Sequence, residues 1–384
     1  SFGTLVGIGG SIWLSMCLGQ KNEKRASQIL YNSFVMLVVL SICLTLGFIL
    51  LKHNLIYWFG GSDALYPYAN TYLTIYTLGT FFALMSIGLN YFITGQGYAT
   101  IAMLSVCIGA ITNIIFDFIL IRTLKIGVAG AAIGTVIAQF LSCMFVLCFL
   151  RFKTKIKLKK EELSIDKMKH IVKLGFSPFL ILASDSVILI VMNMMLQKYG
   201  GNMGDIYISA ITVAQSYFLL ITGPLLGISS GTQPIFAYHF GSQNLKKIKE
   251  AFKIVISFAF LFCLVMFIIS MCYSHVFVAM FTSDAMTMPI AQRAIKIFCL
   301  GILMMSIQYV LVDGITGLSN VKLSLFLSLN RKLMYLCCTC LLPVFLGVSN
   351  IFYAQPIADI YASVVTIICF IKIIPSYLKS HGVQ

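Results

Sequence analysis

The chain has 384 residues, 59% of them hydrophobic and 10% charged, with a formal net charge of +15 and a mean hydropathy of +0.96. That balance lies outside the range of water-soluble domains and places the chain in the membrane. The basic excess does not point to nucleic acid. Most of the 27 Lys and Arg fall in alternate loops and flanks, at 20–25, 151–173, 246–253, 322 and 372–379. This is the positive-inside pattern, which puts those loops in the cytoplasm and makes membrane lipids the expected surroundings.

In chain order, apolar stretches long enough to cross a hydrocarbon core of about 30 Å occupy 1–19, 27–51, 69–93, 99–121, 128–150, 171–197, 206–240, 252–273, 290–314, 321–346 and 351–374. Period-2 alternation is missing from them, and lone strands cannot satisfy their backbone in lipid, so helices are predicted. The charged stretch 151–170 separates a first lobe, 1–150, from a second, 171–384. Its block Arg151-Phe-Lys-Thr-Lys-Ile-Lys-Leu-Lys-Lys160 reads as a solvated linker that fixes orientation; contact with anionic head groups is the alternative. The 12 cysteines lie within apolar spans, Cys337-Cys338-Thr-Cys340 among them, and read as ordinary small hydrophobes.

The two lobes repeat each other. Gly9, Gly19, Asn22 and Lys24 recur 222 residues later as Gly231, Gly241, Asn244 and Lys246. Phe59, Pro67 and Gly79 recur as Phe281, Pro289 and Gly301, and Ile93-Thr94-Gly95 as Ile315-Thr316-Gly317. Beyond a two-residue slip, Gly127-Val128 and Ala138 face Gly347-Val348 and Ala358. By this offset, residues 171–222 map to positions in front of Ser1. The expected parent is therefore an all-α membrane protein of two homologous six-helix lobes, the first lacking about fifty N-terminal residues here. Lobes of six helices are parallel repeats. Gly19 and Gly241 are expected to supply left-handed caps, with Asn22 and Asn244 in the following turn or N-cap. Pro224, Pro234, Pro343 and Pro356 fall inside spans, either as gating kinks or as packing kinks.

These features resemble the multidrug and toxic compound extrusion (MATE) family, particularly its DinF-like bacterial branch. The resemblance covers essentially the whole chain. It rests on the paired Gly-x-x-Asn-x-[Lys/Arg] hairpins, Thr94-Gly-Gln-Gly97, Asn113-Ile-Ile-Phe-Asp117, the run 127–135 and Pro356-Ile-Ala-Asp359. It implies twelve helices, a central cavity opening to alternate sides, and export of lipophilic, often cationic small molecules in exchange for H⁺ or Na⁺. The transported ion is then the one non-protein group expected, without a resident cofactor or structural metal. A monomer in a bacterial inner membrane follows from the same resemblance.

Carboxylates at bilayer depth mark ion paths or are paired. Asp117 shares a helix face with Asn113, and Thr135 returns to similar depth on the next helix, roughly 7–11 Å below the outer surface. A carboxylate, an amide carbonyl and a hydroxyl so placed suit a hard cation or a proton. The same three positions match the first-lobe cation site of DinF-like members; that family's further acid, on its first helix, has no counterpart here. In the second lobe Asp185, Gln215, Gln233, Arg331 and Asp359 are the candidates. Asp185 is open between a coupling or substrate role and a charge-paired one. Counting from opposite ends of neighbouring spans places Arg331 and Asp359 at differing depths, and Arg331 pairs with either Asp359 or Asp185. The alternative function is a flippase for lipid-linked saccharides, which needs a strongly cationic cavity that only Arg331 and Lys332 would supply. No HExxH, GxSxG or catalytic His pair supports an intramembrane enzyme.

Overall fold

The computed structural model describes residues 2–58, 66–282 and 284–382, so Phe59, one half of the repeated Phe59/Phe281 pair, lies outside the described residues. The described chain is helical, and two compact units, Ser1–Phe179 and Leu180–Gln384, divide it. The eleven predicted spans each find a helix. In the first unit these are α1 (Phe2–Gly19), α2 (Glu23–Trp58), α3 (Tyr66–Leu78) with α4 (Thr80–Gly95), α5 (Ala99–Asp117) and α6 (Val128–Phe152). Next comes α7 (Ile165–Gly200), and the division into units falls inside it, later than the boundary at 171 drawn from sequence. The second unit continues with α8 (Gly204–Gly241), α9 (Leu245–Phe281), α10 (Thr287–Phe298) with α11 (Ile302–Gly317), α12 (Val321–Leu346) and α13 (Ala354–Ser380). Nine of the described helical stretches are long and apolar enough to cross a membrane, ten if the pair α3 and α4, bent by 50°, counts as one.

The repeat is visible in local geometry. Helix α1 packs on α2 and α4, and α4 on α6; in the second unit α8 packs on α9 and α11, and α11 on α13. Helix α4 ends at Gly95 and α11 at Gly317, the same position in the repeat. Left-handed backbone recurs at Lys21 and Gln243, at Gly97 and Ser319, and at Gly127 and Gly347. The first pair corrects the sequence reading: the left-handed residue is two positions beyond Gly19 and Gly241, which remain inside their helices. Asn22 and Asn244 do cap the next helix. Their Oδ1 atoms accept from the backbone N–H of Arg25 and Lys247, each at 3.0 Å.

Burial follows position. Helix α1 is apolar on every side and buried along almost its whole length, as a central helix must be. By contrast, α9 presents Ile254, Phe258, Leu261, Val265 and Ile268 outward, a surface suited to lipid tails. Small residues permit a close crossing of α1 and α7: a side chain on Gly9 or Gly175 would meet the opposing backbone of α7 or α1.

Most side chains of the basic stretch 151–160 are exposed, but the backbone of residues 153–164 is anchored at several points. The Gln96 side chain holds Ile156 at both backbone groups, accepting from its N at 2.7 Å and donating to its O at 3.2 Å. Asn32 accepts from Ser164 N and donates to Glu162 O, both at 2.9 Å, while Ser27 donates to Glu161 at 2.8 Å. Thr154 and Ile156 are thereby buried, and Lys153, Lys155 and Lys157 beside them stay outside. Side-chain amides have replaced water as partners for this extended backbone. Pro356 also departs from expectation. It lies in the first turn of α13, where its missing N–H costs no helical bond.

Candidate functional site

In the first unit, α5 runs into a π-helical turn, Phe118–Thr123, directly after Asp117. Such wide turns often accompany functional side chains because they interrupt the regular backbone ladder. Across from it, α6 carries Gly134, and a Cβ there would sit 2.5 Å from Asp117 Oδ1. The glycine thus makes room for the carboxylate against a neighbouring helix. One turn earlier, Asn113 Nδ2 donates to Thr135 Oγ1 at 3.3 Å, and Thr135 Oγ1 donates to Ala131 O at 2.9 Å. Asp117 Oδ1 is buried and has no hydrogen-bond partner among the described residues. Asp117 as a whole is half-buried, and its Oδ1 is left as a polar atom whose cost of burial a bound cation would offset. Asn113 and Thr135 also line a pocket of about 450 Å³, together with Ser86, Asn90, Gly109 and Gln139. Gln139 Oε1 is likewise buried without a partner among the described residues.

The second unit holds charges instead. Arg331 on α12 pairs with Asp359 on α13, with Nη2 and Nε 2.7 and 2.8 Å from Oδ1. Gln355 Nε2 donates to the other carboxylate oxygen at 2.9 Å. Tyr309 on α11 accepts from Arg331 Nη1 at 3.1 Å, and its ring centre lies 5.0 Å from the guanidinium carbon. Lys332, the next residue on α12, pairs with Asp185 on α7. Gln215 is nearby, 3.6 Å from the sulfur of Met192, which Tyr335 also approaches at 3.9 Å. Gln233 is not part of this cluster; it donates to Asp313 at 2.8 Å.

The depth expected for Arg331 and Asp359 is therefore corrected. Between α12 and α13 the chain turns at Gly347 and runs as a 3-10 stretch, Val348–Tyr353. Rising about 2.0 Å per residue there, against about 1.5 Å in α-helix, the return leg to Asp359 covers roughly 21 Å. The outgoing leg from Arg331 covers roughly 24 Å, so the two side chains meet at one level.

The MatE family profile matches residues 1–119 and 182–336, more than half of the chain. This chain belongs to the MatE family. Among curated relatives, the multidrug export protein MepA of Staphylococcus haemolyticus (strain JCSC1435) is 28% identical over 317 residues, covering 80% of this chain and 68% of the relative. Among solved structures, an outward-facing multidrug resistance MATE family transporter superposes with a TM-score of 0.92 at 21% identity, over 99% of this chain and 85% of the other. A MOP superfamily transporter from Pyrococcus furiosus Vc1 gives 0.92 at 21% identity, over 98% and 85%. The protein is thus a multi-pass membrane transporter of the MATE type.

Within this MATE chain, Gln139, Asn90, Tyr309 and Gln355 join the polar clusters without having been singled out from sequence. A signal for two of them was present. The repeat offset sets Asp359 on Gln139 and Gln355 on Thr135, so each charged or polar position in one lobe points to a position worth inspecting in the other. Tyr309 faces Ile87 and Asn90 faces Val312, and neither leaves such a trace. Asn90 is found only through its contacts, donating to Ala102 O at 2.9 Å and to Ser105.

Proposed function

We propose that this MATE transporter exports lipophilic, cationic compounds across a bacterial cell membrane, as a monomer, in exchange for H⁺ or Na⁺. The observation that carries this reading is the buried, unpartnered Oδ1 of Asp117 beside the Asn113–Thr135 pair. A proton on that oxygen, or a cation shared with the neighbouring amide and hydroxyl oxygens, removes the cost of burying it. Binding from outside then favours whichever arrangement of the transporter shields the site, and substrate favours the other. Exchange follows because each ligand has a different affinity for the two arrangements. The export activity named for the staphylococcal relative supports the same direction of transport. The flippase alternative loses its main support, since Arg331 and Lys332 each face a carboxylate.

The test is dye efflux from membrane vesicles with Na⁺ and pH gradients imposed separately. Asp117→Asn should reach the membrane in normal amount yet lose gradient-driven export, because a neutral amide neither titrates nor ligates Na⁺ strongly. Unchanged export by this variant removes Asp117 from the mechanism. The gradient that drives the wild type identifies the ion.

A further inference from the structure

Lys332 and Asp185 form an asymmetric pair. The ammonium-bearing side chain is 11% exposed and the carboxylate-bearing one 55%. Asp185 lies on the stripe of α7 that continues through Ile188, Met192 and Leu196, and those three are buried in the second unit. The carboxylate therefore stands at the end of that packed stripe, where α7 becomes exposed. The groups facing Lys332 are few. Arg331 precedes it on α12, Asp185 comes from α7, and Asp359 from α13, with Tyr309 and Tyr335 completing the cluster. Two cations thus meet two carboxylates, and the cluster is neutral.

A second positive charge arriving at Asp185 upsets that balance. Three cations would then share two carboxylates, and Lys332, buried beside a guanidinium already matched to Asp359, would be left without a counter-ion. An ammonium so placed is the one group there able to become neutral, since a guanidinium keeps its proton. The first lobe has no such arrangement: the repeat places Gly109 and Ala110 opposite Arg331 and Lys332.

We infer that Lys332 is a tethered competitor for cationic substrate at Asp185, and that an organic cation taking its place on the carboxylate expels the ammonium proton to solvent. The exchange balances: Lys332 goes from –NH₃⁺ to –NH₂, one proton leaves, one organic cation binds, and the cluster stays neutral. When the substrate departs, Lys332 takes up a proton and closes on Asp185 again. A single pair then makes substrate and proton mutually exclusive, which is the requirement for antiport. This inference rests on the reading that organic cations are the substrates, and it adds the site at which they compete with a proton.

The test uses the full chain purified in detergent, in weak buffer near neutral pH, with tetraphenylphosphonium as probe and a pH-indicator dye as readout. Wild type should release about one proton per cation bound, and its affinity should rise up to about tenfold per pH unit. Lys332→Met should bind the probe at least as tightly, release no proton and lose the pH dependence. Lys332→Arg keeps a cation that does not deprotonate, so it should bind more weakly and also release none; it decides the matter if the Met variant does not fold. Asp185→Asn should lose binding. Undiminished release from both Lys332 variants overturns the inference while the proposed antiport stands. Absence of probe binding by the wild type defeats both.

Discussion

The two lobes solve the same packing problem with opposite chemistry at matching positions. Where the second unit places Arg331, Lys332 and Asp359, the first has Gly109, Ala110 and Gln139. One therefore holds a set of ion pairs, while the other leaves a pocket with uncharged polar groups in its lining and, close by, a buried carboxylate oxygen without a partner among the described residues. The lesson concerns duplicated folds generally. Packing against a common helix order constrains glycines, prolines and turn residues, so those persist between copies. The polar groups inside each copy are free to diverge, and here they have.

The largest effect should come from breaking the charged side of this contrast. Arg331 and Asp359 are almost wholly buried, so removing one partner strands the other in a poorly solvated site. Arg331→Met alone should destabilise the protein by about 3–5 kcal/mol, and Arg331→Met with Asp359→Asn should recover most of that loss. Thermal unfolding in detergent, followed by thiol labelling of the buried Cys263 and Cys299, reads both. A double variant no more stable than the single one would mean that the pair contributes little beyond the volume it fills.

A smaller change makes the first lobe resemble the second. The repeat sets Gly134 opposite Ala354, so Gly134→Ala installs in one copy what the other already has. The new methyl would meet Asp117 Oδ1 at 2.5 Å, whereas the nearest backbone atom is at 3.4 Å. Only the carboxylate must move. Cation affinity at the site, measured as the gradient needed for half-maximal export, should weaken by about tenfold with little change in unfolding temperature. A large loss of stability without a coupling defect would assign Gly134 to helix packing instead.

Much of this was legible beforehand, for identifiable reasons. The eleven helical spans, the repeat and the hairpins follow from hydropathy and from Gly, Pro and Asn at a constant offset, all local or periodic signals. The Asn113–Thr135 contact was reachable because helical spacing fixes which residues share a face and a depth. What escaped needed information that no one-dimensional period carries. The level of Asp359 depended on a 3-10 stretch with a longer rise, and the choice of Arg331 between two acids depended on how α7 and α13 are rotated about α12. The binding of residues 153–164 to Gln96 and Asn32 was hidden because its lysines dominate the composition, although only the backbone and a few small side chains turn inward.

The smallest expected effect tests whether the turns are as equivalent as the offset implies. After α4 the left-handed residue is Gly97, with φ of +90°, and after α11 it is Ser319, with φ of +63°. A side chain in that region costs roughly 1–2 kcal/mol unless a local hydrogen bond offsets it. The second lobe has a compensation that the first lacks: Asn320, next to Ser319, caps α12 by accepting from Leu323 N at 3.3 Å, whereas Tyr98 makes no such cap. Ser319→Gly should therefore stabilise by well under about 1 kcal/mol, the gain from relieved strain being partly lost to a more flexible unfolded chain. Gly97→Ala should destabilise by about 1 kcal/mol, because nothing crowds a Cβ there and only backbone strain acts. Equal and opposite shifts would mean the two turns differ only in the residue they carry. A Gly97→Ala loss well above that of the strain alone would show that this turn, through neighbouring Gln96, also holds the chain between the lobes in place.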